Sequence, residues 1–192
     1  MREATTVVSI SLQIGIFLVA SARIAWLSRS SLRDPRSHGF YRFFAWEAIL
    51  ALVLMNLDHW FAAPFSLHQM LTWPLLIISL FLIIGGVRLF RKVGKLDEGR
   101  DSPSLIGIEK TTALVMVGLY RYIRHPFYSS LLFLAWGVFF KRPSWVGLLL
   151  TAAATVLLVV TARIEEAENI LFFGEEYRGY MKRTKMFIPF VF

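Results

Sequence analysis

The sequence predicts an all-α fold, a polytopic membrane helix bundle of five transmembrane helices, and three observations predict it. Of 192 residues, 56% are hydrophobic and 18% charged, against about 45–50% apolar and about 25% charged in soluble domains. Mean hydropathy is +0.58. The apolar residues come in long runs with no polar face to meet water, which excludes soluble globular, disordered, fibrous and coiled-coil classes. The basic residues segregate between those runs in the alternation that membrane topology requires.

The first run, Thr6–Leu27, is long enough to span, since a crossing needs roughly 20 apolar residues. Ala20-Ser21-Ala22 resembles a cleavage site, but Arg2 and Glu3 cancel and the basic residues (Arg23, Arg29, Arg33, Arg36, Arg42) follow the run. That order is the reverse of a signal peptide's, so the run is read as a retained helix with its N-terminus outside. The second run, Phe43–Trp60, carries Glu47, Asn56, Asp58 and His59 near its two ends, where snorkelling to the interface is the expectation. The third, Met70–Phe90, contains Gly85-Gly86, a pair suited to close helix packing.

Residues 94–109 (GKLDEGRDSPSLIGIE) form a polar, linker-like stretch too short for a second domain. The fourth run, Pro126–Phe140, has 15 residues and reaches only ~22 Å against a hydrocarbon core of ~30 Å. It is therefore a tilted or deep-starting helix, or one in a thinned bilayer. It turns at Lys141-Arg142-Pro143-Ser144 into the fifth run, Trp145–Ala162. Beyond it, residues 172–180 read as a short amphipathic helix after a glycine turn, and Phe187-Ile188-Pro189-Phe190 as an aromatic interfacial anchor.

The whole chain, 1–192, reads as a single membrane domain, with three spans in 1–90 and a second part in 91–192. With the N-terminus outside and the C-terminus cytoplasmic, 18 of 21 Lys and Arg face the cytoplasm, leaving Arg2, Lys141 and Arg142 outside. The net charge of +8 thus records topology, and nucleic acid is not an expected partner. Trp26, Trp60, Trp73 and Trp145 lie near span ends, as interfacial anchors do. With no cysteine, disulfides, thiolate metal sites and cysteine nucleophiles are excluded. No metal-binding helix motif, glycine-rich phosphate loop or nucleophile elbow is present, so no metal is expected.

Two clusters carry chemistry. In Arg124-His125-Pro126, proline suits the first helical position and holds the residue before it out of the helical region. Arg124 and His125 thereby sit ahead of a helix N-terminus, whose free N–H groups and dipole favour an anion such as a carboxylate or phosphate. Ordinary positive-inside flanking explains the same residues. At the end of the fifth run stand Glu165, Glu166 and Glu168. Successive helical residues point about 100° apart, so Glu165 and Glu166 are not expected to face one site together. Local pairing of Glu166 with Arg163 and of Glu165 with Asn169 is allowed by spacing. A hairpin of the last two spans returns both clusters to one side. An anion-holding Arg/His beside a cation-holding Glu suits a zwitterionic, amino-acid-bearing ligand.

The stretch 111–128 (TTALVMVGLYRYIRHPFY), followed by Glu165-Glu166 and Phe173-Gly174-Glu175-Glu176-Tyr177, resembles the isoprenylcysteine carboxyl methyltransferase family. That family shares its C-terminal core with the phospholipid N-methyltransferases, and the similarity covers about residues 105–190. The resemblance implies an integral membrane methyltransferase with a cytoplasmic site for S-adenosylmethionine and an amphipathic, lipid-like or lipidated acceptor entering from the bilayer. It implies cofactor contacts from Leu114, Val115 and Tyr120 at the nucleoside end and from Arg124, His125 and Tyr128 at the amino-acid end. Glu166, supported by Glu165, would hold the cationic side. Arg124, His125 and Glu165 are the implied catalytic residues, and Arg163 a substrate-binding one. Ser130 stands where the family often has glycine, and Thr161 where its eukaryotic members have a substrate arginine. Two other classes remain: a sterol-type membrane reductase binding NADPH through Arg91, Lys92 and Lys95, and a non-catalytic transporter or assembly subunit. Few charges lie inside the spans, which speaks against transport.

Overall fold

The computed structural model describes residues 2–60, 65–93 and 114–192. The linker-like stretch 94–109, the cations Lys95, Arg100 and Lys110, and motif residues 111–113 lie outside these described residues. Among the described residues six α-helices follow one another: α1 (Arg2–Leu27), α2 (His38–Met55), α3 (Leu67–Val93), α4 (Pro126–Phe139), α5 (Trp145–Phe173) and α6 (Glu175–Arg183). Four of them, α1, α2, α3 and α5, are long and apolar enough to cross a membrane, whereas α4 has 14 residues. The protein is a multi-pass integral membrane protein of the all-α class.

Local chemistry sets the helix ends. Ser37 accepts the Phe40 N–H at the start of α2, and Ser144 accepts that of Gly147 at the start of α5, the N-cap role expected of serine. Asn56 ends α2 with its Nδ2 on the Leu52 carbonyl, so Asp58 and His59 sit on a 3-10 turn rather than in a membrane helix. α5 runs 11 residues past Ala162, the end expected from hydropathy, and carries the acidic cluster with it to Phe173. Helix formation here outlasts the apolar run, because glutamate and alanine are good helix formers. Gly174, at φ 60°, ends the helix in a conformation that only glycine adopts freely.

α2 packs along α5 and α3 along α4, around a core of Ala45, Ile49, Leu52, Ala135, Val138, Ala154, Leu158 and Ala162. Small residues bring the helices together. A Cβ on Gly137 would lie 2.9 Å from Leu76, and one on Gly85 2.8 Å from Leu119. Ser130, placed where glycine was the family expectation, fits the α3–α4 seam. Its Oγ donates to the Phe127 carbonyl and its own carbonyl accepts from Ser79.

α1 is the least enclosed helix. Its Ile10, Leu12, Ile14 and Leu18 side chains are all exposed; polar ties hold it instead, Ser21 to Glu47 and Gln13 Nε2 to Asp58 at 3.3 Å.

Lys141, placed on the outer side by the charge count, is not a solvated cation. It is 1% exposed. Its Nζ donates to the Trp60 carbonyl at 2.8 Å and to Gln69 at 3.0 Å, and it lies 3.8 Å from the Trp73 ring centre. Burial lowers its pKa. The residue fastens the α4–α5 turn to the ends of α2 and α3. Arg142 remains exposed.

Candidate active site

Pro126 opens α4, and residues 118–121 before it form a 3-10 turn entered through Gly118 at φ 60°. That turn places Arg124 and His125 against α5. A short parallel pairing with the chain after α6 locks them there. Lys185 N donates to the Tyr122 carbonyl at 3.0 Å, Arg124 N to that of Lys185 at 2.8 Å, and His125 N to that of Met186 at 3.2 Å. The backbone donor of His125 is thus satisfied by the chain itself rather than held for an anion.

The side chains complete the cluster. Arg124 Nε donates to Glu166 Oε1 at 2.6 Å, and its Nη1 donates to the Thr184 carbonyl at 2.6 Å. His125 Nε2 lies 3.2 Å from the same Glu166 oxygen, while its Nδ1 lies 3.9 Å from Glu165 Oε1. Tyr128, stacked on the His125 ring at 5.4 Å, donates its hydroxyl to Glu165. The two glutamates therefore do approach one group, contrary to the angular expectation. They flank the imidazole, which is wide enough to meet side chains that leave the helix in different directions. A second correction concerns polarity. Arg124 and Glu166 are not separate poles but an ion pair, with side chains 9% and 8% exposed.

Of the other expected residues, Val115 and Tyr120 are buried and Leu114 partly so. The Tyr120 carbonyl accepts the Tyr180 hydroxyl at 2.6 Å. Arg163 is exposed, and Glu166, which spacing allowed it to pair with, is bonded by Arg124; Asn169 is hydrogen-bonded to Tyr177. Burial pushes the phenols of Tyr177 and Tyr180 well above their ordinary range.

Three features escaped sequence reasoning. His38, fully buried, sets its Nδ1 2.7 Å from Glu168 Oε2, and its backbone N–H donates to the other oxygen at 3.3 Å. This fixes the rotation of α5 one turn beyond Glu165. Phe187, read as an interfacial anchor, is 1% exposed and meets the His125 ring edge-on at 6.2 Å; Phe190 alone keeps the exposed role. Ser129 bonds the carbonyls of His125 and Phe187. Three acids within four positions was the one sequence signal that Glu168 needed a distant partner.

No group of three or more His, Asp or Glu suited to a metal exists among the described residues. The cluster's two carboxylates, one guanidinium and one imidazole suit a ligand with a net positive charge that also carries a carboxylate.

Fold and site together define an integral membrane protein with one acid–base centre at a helix-bundle end. The family model for phospholipid methyltransferases matches residues 98–175. The chain is 31% identical over 151 residues to a probable protein-S-isoprenylcysteine O-methyltransferase of Oryza sativa subsp. indica, covering 76% of this chain and 77% of that one. It is 33% identical over 129 residues to the human protein-S-isoprenylcysteine O-methyltransferase, covering 64% of this chain and 44% of the other. It is 31% identical over 120 residues to the methanethiol S-methyltransferase of Pseudomonas deceptionensis, covering 62% and 42%. The chain thus spans less than half the length of the methanethiol enzymes it matches. No solved structure matches. The chain belongs to the isoprenylcysteine carboxyl methyltransferase family.

Proposed function

We propose that this protein transfers a methyl group from S-adenosylmethionine to an amphipathic or lipid-like acceptor at the cytoplasmic edge of the membrane. The observation that carries the reading is the His125 imidazole held between Glu165 and Glu166, with Arg124 paired to Glu166. Rice, rat and human relatives named for isoprenylcysteine methylation, and bacterial ones named for methanethiol methylation, support it.

The cofactor supplies an activated methyl on a sulfonium when bound. Glu165 and Glu166 would hold its positive charges, and Arg124 would offer its remaining guanidinium hydrogens to its carboxylate. Val115, Tyr120 and Leu114 would take the nucleoside end. The protein's part is alignment in a water-poor site, because in-line displacement gains most from positioning. A carboxylate or thiolate acceptor needs no further help. For an amine acceptor, His125 takes the proton, and Glu165, bonded to Tyr128, steadies the resulting imidazolium. Exposed Arg163 meets an acidic group of the acceptor only at the site's outer edge.

In this reading the N-terminus is outside, the C-terminus cytoplasmic, and α4 also crosses, as the fourth of five spans. Residues 1–192 act as one membrane domain, with 91–192 its catalytic part.

The test is ligand-dependent thermal stability of detergent-purified protein with S-adenosylhomocysteine and NADPH side by side. A ligand at about 100 times its dissociation constant adds ~2.7 kcal/mol. The expected result is a shift with S-adenosylhomocysteine alone, lost in Arg124→Ala, His125→Ala and Glu166→Ala proteins that remain helical. A shift with NADPH alone, or normal methyl transfer by those variants, refutes the reading.

A further inference from the structure

A cavity of about 550 Å³ lies behind the acid–base cluster, lined among others by Val117, Gly118, Arg121, Tyr180, Arg183 and Thr184. None of these carries a carboxylate. Arg124, the neighbouring cation, is ion-paired with Glu166. Arg121 and Arg183 differ, since neither has an acidic partner among the described residues. Arg183 Nε rests on the Gly179 carbonyl of its own helix at 3.2 Å, which leaves its other guanidinium hydrogens directed elsewhere. The surrounding charge adds to theirs. Residues 177–192 contain Arg178, Lys182, Arg183 and Lys185 and no acid.

Val117, in the lining, is 49% exposed. Tyr122, next in the chain to Arg121, packs edge-on with Phe190 at 6.1 Å, and Phe190 and Val191 are exposed. Arginine presents a planar fork that matches phosphate oxygens, and exposed aromatic residues settle at headgroup level. We infer that this cavity binds the phosphate of an anionic phospholipid between Arg121 and Arg183, as a second site apart from methyl transfer. Exposed Val117 in the lining and the exposed Tyr122–Phe190 pair beside Arg121 favour a lipid over a soluble phosphate, because a free anion gains nothing from them. The inference stands on the cavity and its charges alone and does not need the methyl-transfer reading.

The full-length protein is reconstituted in nanodiscs of phosphatidylcholine with phosphatidylglycerol, then released, and the retained lipid is counted by native mass spectrometry. Wild-type protein should retain phosphatidylglycerol over phosphatidylcholine. Arg121→Gln and Arg183→Gln should each reduce that preference about fivefold. Arg178→Gln, whose guanidinium sits on Glu175 at 3.1 Å outside the cavity, should leave it unchanged. Rising salt should erode the wild-type preference, which keeps the test decisive should a variant fold poorly. Equal retention of the two lipids, an undiminished preference in the double variant, or an equal loss in Arg178→Gln overturns the inference. So does displacement of phosphatidylglycerol by inorganic phosphate, which would make the cavity a free-anion site. Loss of S-adenosylhomocysteine binding in the double variant without any change in lipid retention would assign the cavity to the cofactor and also overturn it.

Discussion

Removing Arg124 and Glu166 together should cost less than the two single losses combined. The pair is 2.6 Å apart with side chains 9% and 8% exposed, so each charge has given up most of its water. At an effective dielectric constant of about 20, two unit charges ~4 Å apart attract by about 4 kcal/mol, and truncating one member of a buried pair costs about 3–5 kcal/mol. Glu166→Gln leaves the guanidinium only neutral acceptors, the carbonyls of Met181 and Thr184, and should destabilise by about 3 kcal/mol. Arg124→Leu leaves Glu166 with His125 alone and should cost a similar amount. In the double variant Arg124→Leu/Glu166→Leu no charge is stranded, so the combined loss should fall short of the sum by about 2 kcal/mol. That exceeds the ~0.6 kcal/mol typical of interhelical hydrogen bonds in membrane proteins. Glu165→Gln provides the contrast, because Glu165 is 20% exposed and bonds a neutral tyrosine; about 1 kcal/mol is expected. The assay is thermal unfolding of detergent-purified protein followed by helical circular dichroism. A coupling of ~0.6 kcal/mol or less would refute the reasoning, since it would mean that the pair is solvated and its charges independent.

Lys141→Ala should lower stability by about 2–3 kcal/mol, through lost hydrogen bonds to Trp60 and Gln69 and a lost Trp73 contact, while methyl transfer by the folded fraction is unchanged; normal thermal stability would contradict its fastening role. Tyr180→Phe should flatten the alkaline loss of stability. The unfolded phenol ionises near about 10 while burial keeps the folded one protonated, so the folded state binds the extra proton and stability falls as pH rises above that value. The variant's curve should lose up to ~1.4 kcal/mol per pH unit of that slope, and parallel curves above about pH 10 would exclude it.

The membrane helices were legible because an apolar run of about eighteen or more residues has few other uses. Their ends were less so: hydropathy stops at Ala162, but α5 continues to Phe173 on helical propensity and on the distant partners of Glu166 and Glu168. Arg124, His125, Glu165 and Glu166 could be singled out because acids and bases at a membrane edge require a reason. How they pair could not, because partners 37 to 42 residues apart are set by helix rotation and not by local spacing. The same holds for His38 and Glu168, 130 residues apart. Lys141 looked like a topology marker because sequence does not record the Trp60–Trp73 enclosure that covers it.

The pairing of residues 122–125 with 185–186 separates insertion from completion. Every apolar helix has been synthesised before Thr184, yet Arg124 still lacks its Thr184 acceptor 60 residues further on. A chain cut before that point would keep every one of these helices and still have an open, unlocked centre. The short stretch after α6 therefore finishes a site that the helices by themselves leave incomplete.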